Sequence, residues 1–155
     1  MYRSRSNIYQ NLFNRDRRMN DIILKNRLDN ILRAIKEITG LEPEQVLARS
    51  RKRPLVEARD IICHILKTED KKYSLTVIGD AIGLSHCTVI FCLRQYNNLY
   101  TTDKEFKCKA DAIIGYFRMI DEVYRQTTLD QMRNHILVLL KEYRKLKAEE
   151  LNKIT

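Results

Sequence analysis

The sequence predicts an all-α chain, and three observations carry that expectation. Only four Gly and two Pro interrupt 155 residues. Apolar residues recur at spacings of three and four, the helical period, rather than in alternation. Ser, Thr, Asn or Asp stands where the periodic runs begin, and these are the side chains that cap helices.

Taken in order, residues 1–18 (MYRSRSNIYQNLFNRDRR) are polar and basic. They read as a poorly ordered arm or a frayed helix. Asn20 or Asp21 is expected to cap a helix running to about Ile38, with Leu28, Ile31, Ile35 and Ile38 on its inner face. Thr39-Gly40 ends it. Pro43 opens a short helix through Leu47, at the first-turn position that suits proline.

Arg49-Ser50-Arg51-Lys52-Arg53 is the densest positive run in the chain. Pro54 closes it and starts a helix from Leu55 to about Lys67, with Leu55, Ile61, Ile62, Ile65 and Leu66 facing inward and Arg59 near its first turn. Cations at a helix N-terminus oppose the macrodipole. Their placement points to an anionic partner, a solvated loop being the alternative.

Tyr73 to Tyr100 reads as two helices joined by a tight turn. Leu75, Ile78 and Ile82 share one face, and Gly83 breaks the pattern where a residue with positive φ is needed. Ser85 caps the second helix, whose buried stripe is Val89, Leu93, Tyr96 and Tyr100. Ser85, His86, Cys87 and Thr88 therefore occupy an exposed first turn. Gly79, four residues before Gly83, lets the helices cross closely. This is the spacing of a helix-turn-helix, whose second helix offers its N-terminal residues to base edges in the major groove. Two core helices around a glycine turn give a similar pattern.

Further on, Thr101 or Thr102 is expected to cap a helix striped by Phe106, Ala110, Ile113, Phe117, Ile120 and Tyr124. Thr128 with Gln131 reads as a capping box, breaking that helix near Gln126. The last helix carries Leu129, Met132, Ile136, Leu139, Tyr143 and Leu146 at a and d positions of a short heptad seam.

Composition bounds the function. At 44% hydrophobic residues, the chain can bury a core. Its length suits one domain with extensions. A formal charge of +9 favours nucleic acid or another anionic surface. Cys63, Cys87, Cys92 and Cys108 have no paired metal-ligand spacing, so no metal and no cofactor is expected. No secretory h-region follows Met1, and no apolar run reaches the roughly 18 residues of a membrane span. A reducing, cytoplasmic location without membrane contact follows as an expectation.

The pieces in sequence order resemble the C-terminal DNA-binding domain of the bacterial replication initiator DnaA. They are the basic run, Ala58-Arg59, Ser74-Leu75 to Ile78-Gly79, and Leu84-Ser85-His86-Cys87-Thr88-Val89. The family signature reads roughly Arg-Asp-His-Thr-Thr-Val. His86, Thr88 and Val89 match it, Cys87 replaces a Thr, Ser85 an Asp, and Leu84 an Arg. The resemblance covers about residues 28–118. It implies an all-α helix-turn-helix domain of the DnaA C-terminal or Trp-repressor-like type, with an extra C-terminal helix.

The same resemblance implies a division of labour. Arg51, Lys52, Arg53 and Arg59 would meet the minor groove and phosphates, Lys71 and Lys72 would clamp phosphates, and Ser85, His86, Cys87 and Thr88 would form the reading turn. The substitutions imply a changed base preference, since losing an acidic acceptor and a cation alters which bases are favoured. The expected organisation is a basic arm and first-helix start at 1–27, the DNA-binding domain at 28–118, and a helical extension at 119–155. The full initiator also carries an ATPase with a Gly-rich phosphate loop, and no GxxxxGK[ST] occurs here. The architecture suits a freestanding domain such as a phage or mobile element encodes.

The leading expectation is sequence-specific binding of double-stranded DNA in replication control or transcription. The second is a protein-interaction module that kept the fold. An enzyme is the third; Asp103 with Glu105 and Asp121 with Glu122 are carboxylate pairs, but amphipathic helices commonly carry such pairs on solvated faces. The extension is too apolar to be left in water. It either folds back on the domain or pairs two copies into a homodimer.

Overall fold

A computed structural model describes residues 3–69 and 73–154. These residues form α1 (Arg3–Thr39), α2 (Pro43–Leu47), α3 (Arg53–Thr68), α4 (Leu75–Ile82), α5 (His86–Thr102) and α6 (Lys104–Ile154), with no strand among them. The chain divides into two compact units, Met1–Arg118 and Met119–Thr155.

The first unit is built around α3. Its Ile61, Ile62, Ile65 and Leu66 are buried, as are Ile31 and Ile35 of α1, Val46 of α2, Ile78 of α4, Val89 of α5, and Phe106, Ile113 and Phe117 of α6. The α3–α5 contact includes flat stacking of His64 on Tyr96, ring centroids 3.8 Å apart and planes inclined 10°. Phe106 meets Tyr96 edge-on at 5.6 Å. Arg118 forks onto the Glu69 carboxylate at 3.1 and 2.6 Å, tying the end of α3 to α6.

Several expectations need correction. The first helix starts at Arg3, well before the cap expected at Asn20 or Asp21. No Gly or Pro occurs before Gly40, so nothing in the backbone stops the helix from extending N-terminally. Ile38 is 41% exposed, whereas Leu24, Leu28, Leu32 and Ala34 join Ile31 and Ile35 in the core. The buried stripe ends at Ile35, one turn before Gly40 takes φ 73°. Neither Thr101 nor Thr102 caps α6. Their hydroxyls bond back to carbonyls of Asn97 and Asn98, while the Asp103 carboxylate accepts from Glu105 N and Phe106 N at 3.0 and 3.1 Å. Those two N–H bonds, Phe106 first, help hold the Asp103 carboxyl below its usual range, and the nearby Arg53 guanidinium acts in the same direction.

In the second unit the helix continues to Ile154 with no break near Gln126. Thr127 and Thr128 donate to the carbonyls of Val123 and Tyr124, each at 2.9 Å. With its hydroxyl committed one turn back, Thr128 does not cap. No Gly or Pro follows Gly115 to stop the helix. Tyr124 is exposed, and Leu129, Met132, Ile136, Leu139, Tyr143 and Leu146 are 50–62% exposed.

Candidate nucleic-acid interface

The segment from the start of α4 through the turn into α5 is shaped by three residues. Ser74 caps α4, its hydroxyl accepting from Val77 N at 3.3 Å. Gly83 ends α4 with φ 72°, in the left-handed region. Gly79 faces the carbonyl of Leu84 so closely that any Cβ would collide with it, and Gly79 O accepts from Leu84 N at 2.8 Å. The two helix axes are bent 95° apart. This is a helix-turn-helix, with α5 in the place of the recognition helix.

The first turn of α5 is organised by its own side chains. Ser85 Oγ accepts from Thr88 N at 3.2 Å and lies 2.8 Å from Thr88 Oγ1. His86 Nε2 lies 3.4 Å from Cys87 Sγ. All four residues are exposed, so the structure gathers Ser85, His86, Cys87 and Thr88 at one helix end. The Ser85 and Thr88 hydroxyls are engaged with each other. The imidazole and the thiol form the second pair at this turn.

The basic loop precedes α3. Lys52 takes an extended N-cap conformation, and its N–H donates to Ser50 Oγ at 3.4 Å. Arg59 Nε donates to Leu55 O at 3.1 Å, and its Nη2 donates to Ser50 O. Arg59 thus clips the loop backbone onto the helix that follows it. Arg51 and Lys52 remain exposed.

Arg53 is exposed as well, but it is paired with two carboxylates. Its Nε donates to Glu57 Oε1 at 2.6 Å and its Nη2 to Asp103 Oδ2 at 2.8 Å. Glu57 is buried and also receives Lys109 Nζ at 3.4 Å. The carboxylates, Glu57 first, raise the Arg53 pKa further. Arg53 therefore anchors the start of α3 to the start of α6. Lys71 and Lys72 lie outside the described residues.

Two further residues share the outward face of α5. Phe91 is 60% exposed, and Arg94 is exposed. Phe91 lies outside the apolar stripe of the sequence, and that departure is itself the available signal. An aromatic set opposite a buried stripe has no core to fill. Among the described residues, no three His, Cys, Asp or Glu side chains gather as a metal site. No single described helix is long and apolar enough to cross a membrane.

Comparison with known proteins gives a consistent picture. Residues 28–95 match the family described as the bacterial dnaA protein helix-turn-helix. The chain is 36% identical over 87 residues to the chromosomal replication initiator protein DnaA of Flavobacterium psychrophilum, covering 56% of this chain and 18% of that protein. It is 32% identical over 91 residues to that of Chloroflexus aggregans, covering 58% and 19%. The chain thus spans less than a fifth of the length of these relatives. The matched segment, residues 28–95, is thus similar to the helix-turn-helix domain of bacterial DnaA.

Proposed function

We propose that this chain binds double-stranded DNA sequence-specifically, in replication initiation or its control, or in transcription regulation. The carrying observation is the α4–α5 pair. It is bent by 95° and presents a capped, exposed polar turn in a segment that matches the DnaA helix-turn-helix family. The similar relatives bear the name chromosomal replication initiator protein. On this reading His86, Cys87 and Thr88 meet base edges, where a Thr methyl packs on a thymine methyl and an imidazole bonds an acceptor. Ser85 holds their turn. Arg51 and Lys52 meet phosphates, Lys71 and Lys72 do so by their position before α4, and Arg59 shapes the loop beside the minor groove. The protein would act without a cofactor or catalysis of its own, in the bacterial cytoplasm or on the nucleoid.

Selection of bound duplexes from a random pool tests this reading. A recovered consensus supports it, and recovery without any consensus leaves only charge-driven binding. On a recovered site, His86→Ala and Thr88→Ala should each cost about 1–3 kcal/mol and change random-duplex binding little.

The exposed seam from Leu129 to Leu146 supports a homodimer through the C-terminal helix. Two copies would bind paired half-sites. The same apolar seam favours the second reading, a protein-interaction module on a retained fold.

A further inference from the structure

We propose that Phe91 is a specificity-determining residue that recognises thymine, its ring packing on the C5-methyl group in the major groove. The inference rests on the DNA-binding reading above and adds a base-specific contact to it.

The placement of the ring carries the argument. Val89, Cys92 and Tyr96 are the buried residues of α5. At about 100° per residue, Cys87, Phe91, Arg94 and Asn98 form the ridge opposite that stripe. All four are exposed. The ridge starts at the capped first turn and runs along the side of α5 that a recognition helix turns to the groove. A large ring 60% open to water gives no core packing in return.

Its chemistry narrows the target. Phe has no hydrogen-bonding atom, so it cannot read the donors and acceptors of the base edges. The apolar feature displayed in the major groove is the thymine methyl. Phe91 lies one helical turn beyond Cys87, about 6 Å along the axis. That is close to two base-pair steps of about 3.4 Å. The methyl it reads should therefore lie about two base pairs from the position that faces Cys87. Arg94, three residues on along the same ridge, offers a cation to the adjoining backbone.

The test deletes the methyl alone. A duplex recovered from the random pool by the full chain is resynthesised with deoxyuridine in place of one thymine at a time. Affinity is measured for the unaltered chain, for Phe91→Ala and for Phe91→Leu. The unaltered chain should weaken about fourfold at one position or two neighbouring positions, the worth of one buried methyl. Phe91→Ala should bind the parent duplex more weakly and show no further weakening at those positions. Phe91→Leu should keep part of the sensitivity, which separates removal of the ring from damage to the fold. Indifference of the unaltered chain to every replacement overturns the assignment, and so does full sensitivity retained by Phe91→Ala. If the unaltered chain binds no duplex at all, the DNA-binding reading fails and takes this one with it. Tight binding without methyl sensitivity overturns this assignment alone.

Discussion

The guanidinium of Arg59 donates to the carbonyl oxygen of Ser50, nine residues back along the chain, while its Nε holds the carbonyl of Leu55. One side chain thereby fixes the basic loop against the first turn of α3. Arg59→Ala should weaken binding to A·T-rich and G·C-rich duplexes by the same factor, because the loop as a whole is released. Arg59→Lys should recover little, since an ammonium lacks the planar fork that reaches both carbonyls. Fluorescence anisotropy on the two duplex types checks this. A selective loss on A·T-rich DNA would instead place the side chain in a narrow minor groove.

Arg51 and Lys52 should separate from Arg53 in their effects. Replacing Arg51 and Lys52 by Ala should lower the slope of log K against log salt by roughly 0.9 for each phosphate no longer neutralised, about 2 in all. Arg53 is engaged by Glu57 and Asp103. Arg53→Ala should leave the salt slope nearly unchanged and lower the melting temperature. A salt titration beside a thermal melt distinguishes the two classes.

The turn should be intolerant at Gly79 and only sensitive at Gly83. A Cβ at Gly79 strikes the Leu84 carbonyl, which belongs to the backbone and cannot rotate away. Gly79→Ala should cost about 2–4 kcal/mol, through displacement of the turn. At Gly83 there is open space, and the penalty arises from its φ of 72°. Gly83→Ala should cost about 1–2 kcal/mol. Urea denaturation followed by circular dichroism measures both.

Asp60 should make stability fall as pH rises. Its carboxyl is fully buried on α3 and neither oxygen finds a hydrogen-bond partner. Burial first, and then the negative charge of Cys92 as a thiolate, push its pKa up to about 8. Cys63 and Glu57 also face this group with acidic character, and Arg59 opposes them. A carboxyl with a raised folded pKa holds its proton more tightly in the native state. The stability it contributes is complete below its unfolded pKa of about 4, and is lost as pH climbs through the folded value near 8. The total change should be on the order of several kcal/mol. Asp60→Asn should flatten this dependence in denaturation curves between those limits.

The C-terminal seam should make the chain dimeric. Ile136 and Leu139 sit near the middle of the exposed stripe. Glu at both positions should convert a dimer to a monomer in sedimentation while leaving helix content unchanged. A monomeric unaltered chain at micromolar concentration would rule the dimer out.

Much of the helix-turn-helix was legible because its signals are local. Gly83 and Ser85 state their backbone needs within one or two residues, and Val89 and Tyr96 repeat at the helical period. The end of α5 was less legible, because Thr101, Thr102 and Asp103 all suit a cap. The choice fell to Asp103, whose carboxylate accepts two N–H groups, while the threonine hydroxyls find carbonyls one turn back. Thr128 and Gln131 matched a capping pattern, but capping residues begin a helix only where something has stopped the previous one. At the interface, Arg53 pairs locally with Glu57, four residues on along α3. The pairing of Arg53 with Asp103, fifty positions away, required the fold. That distant partner shifts Arg53 from a free cation to an anchor.

The stack of His64 on Tyr96 has a consequence for how the two proposed contacts work together. Helix α3 carries the basic loop at its start and packs against α5, so the loop and the turn at the start of α5 belong to one packed frame. On the DNA-binding reading, such a frame would act as a caliper on the double helix. It would accept a single interval between the backbone and the bases that it meets. Inserting one base pair into that interval would rotate one contact away from the other by about a tenth of a turn. The chain would then sense spacing as well as letters, and its target would be defined by a measured gap as much as by any base within it.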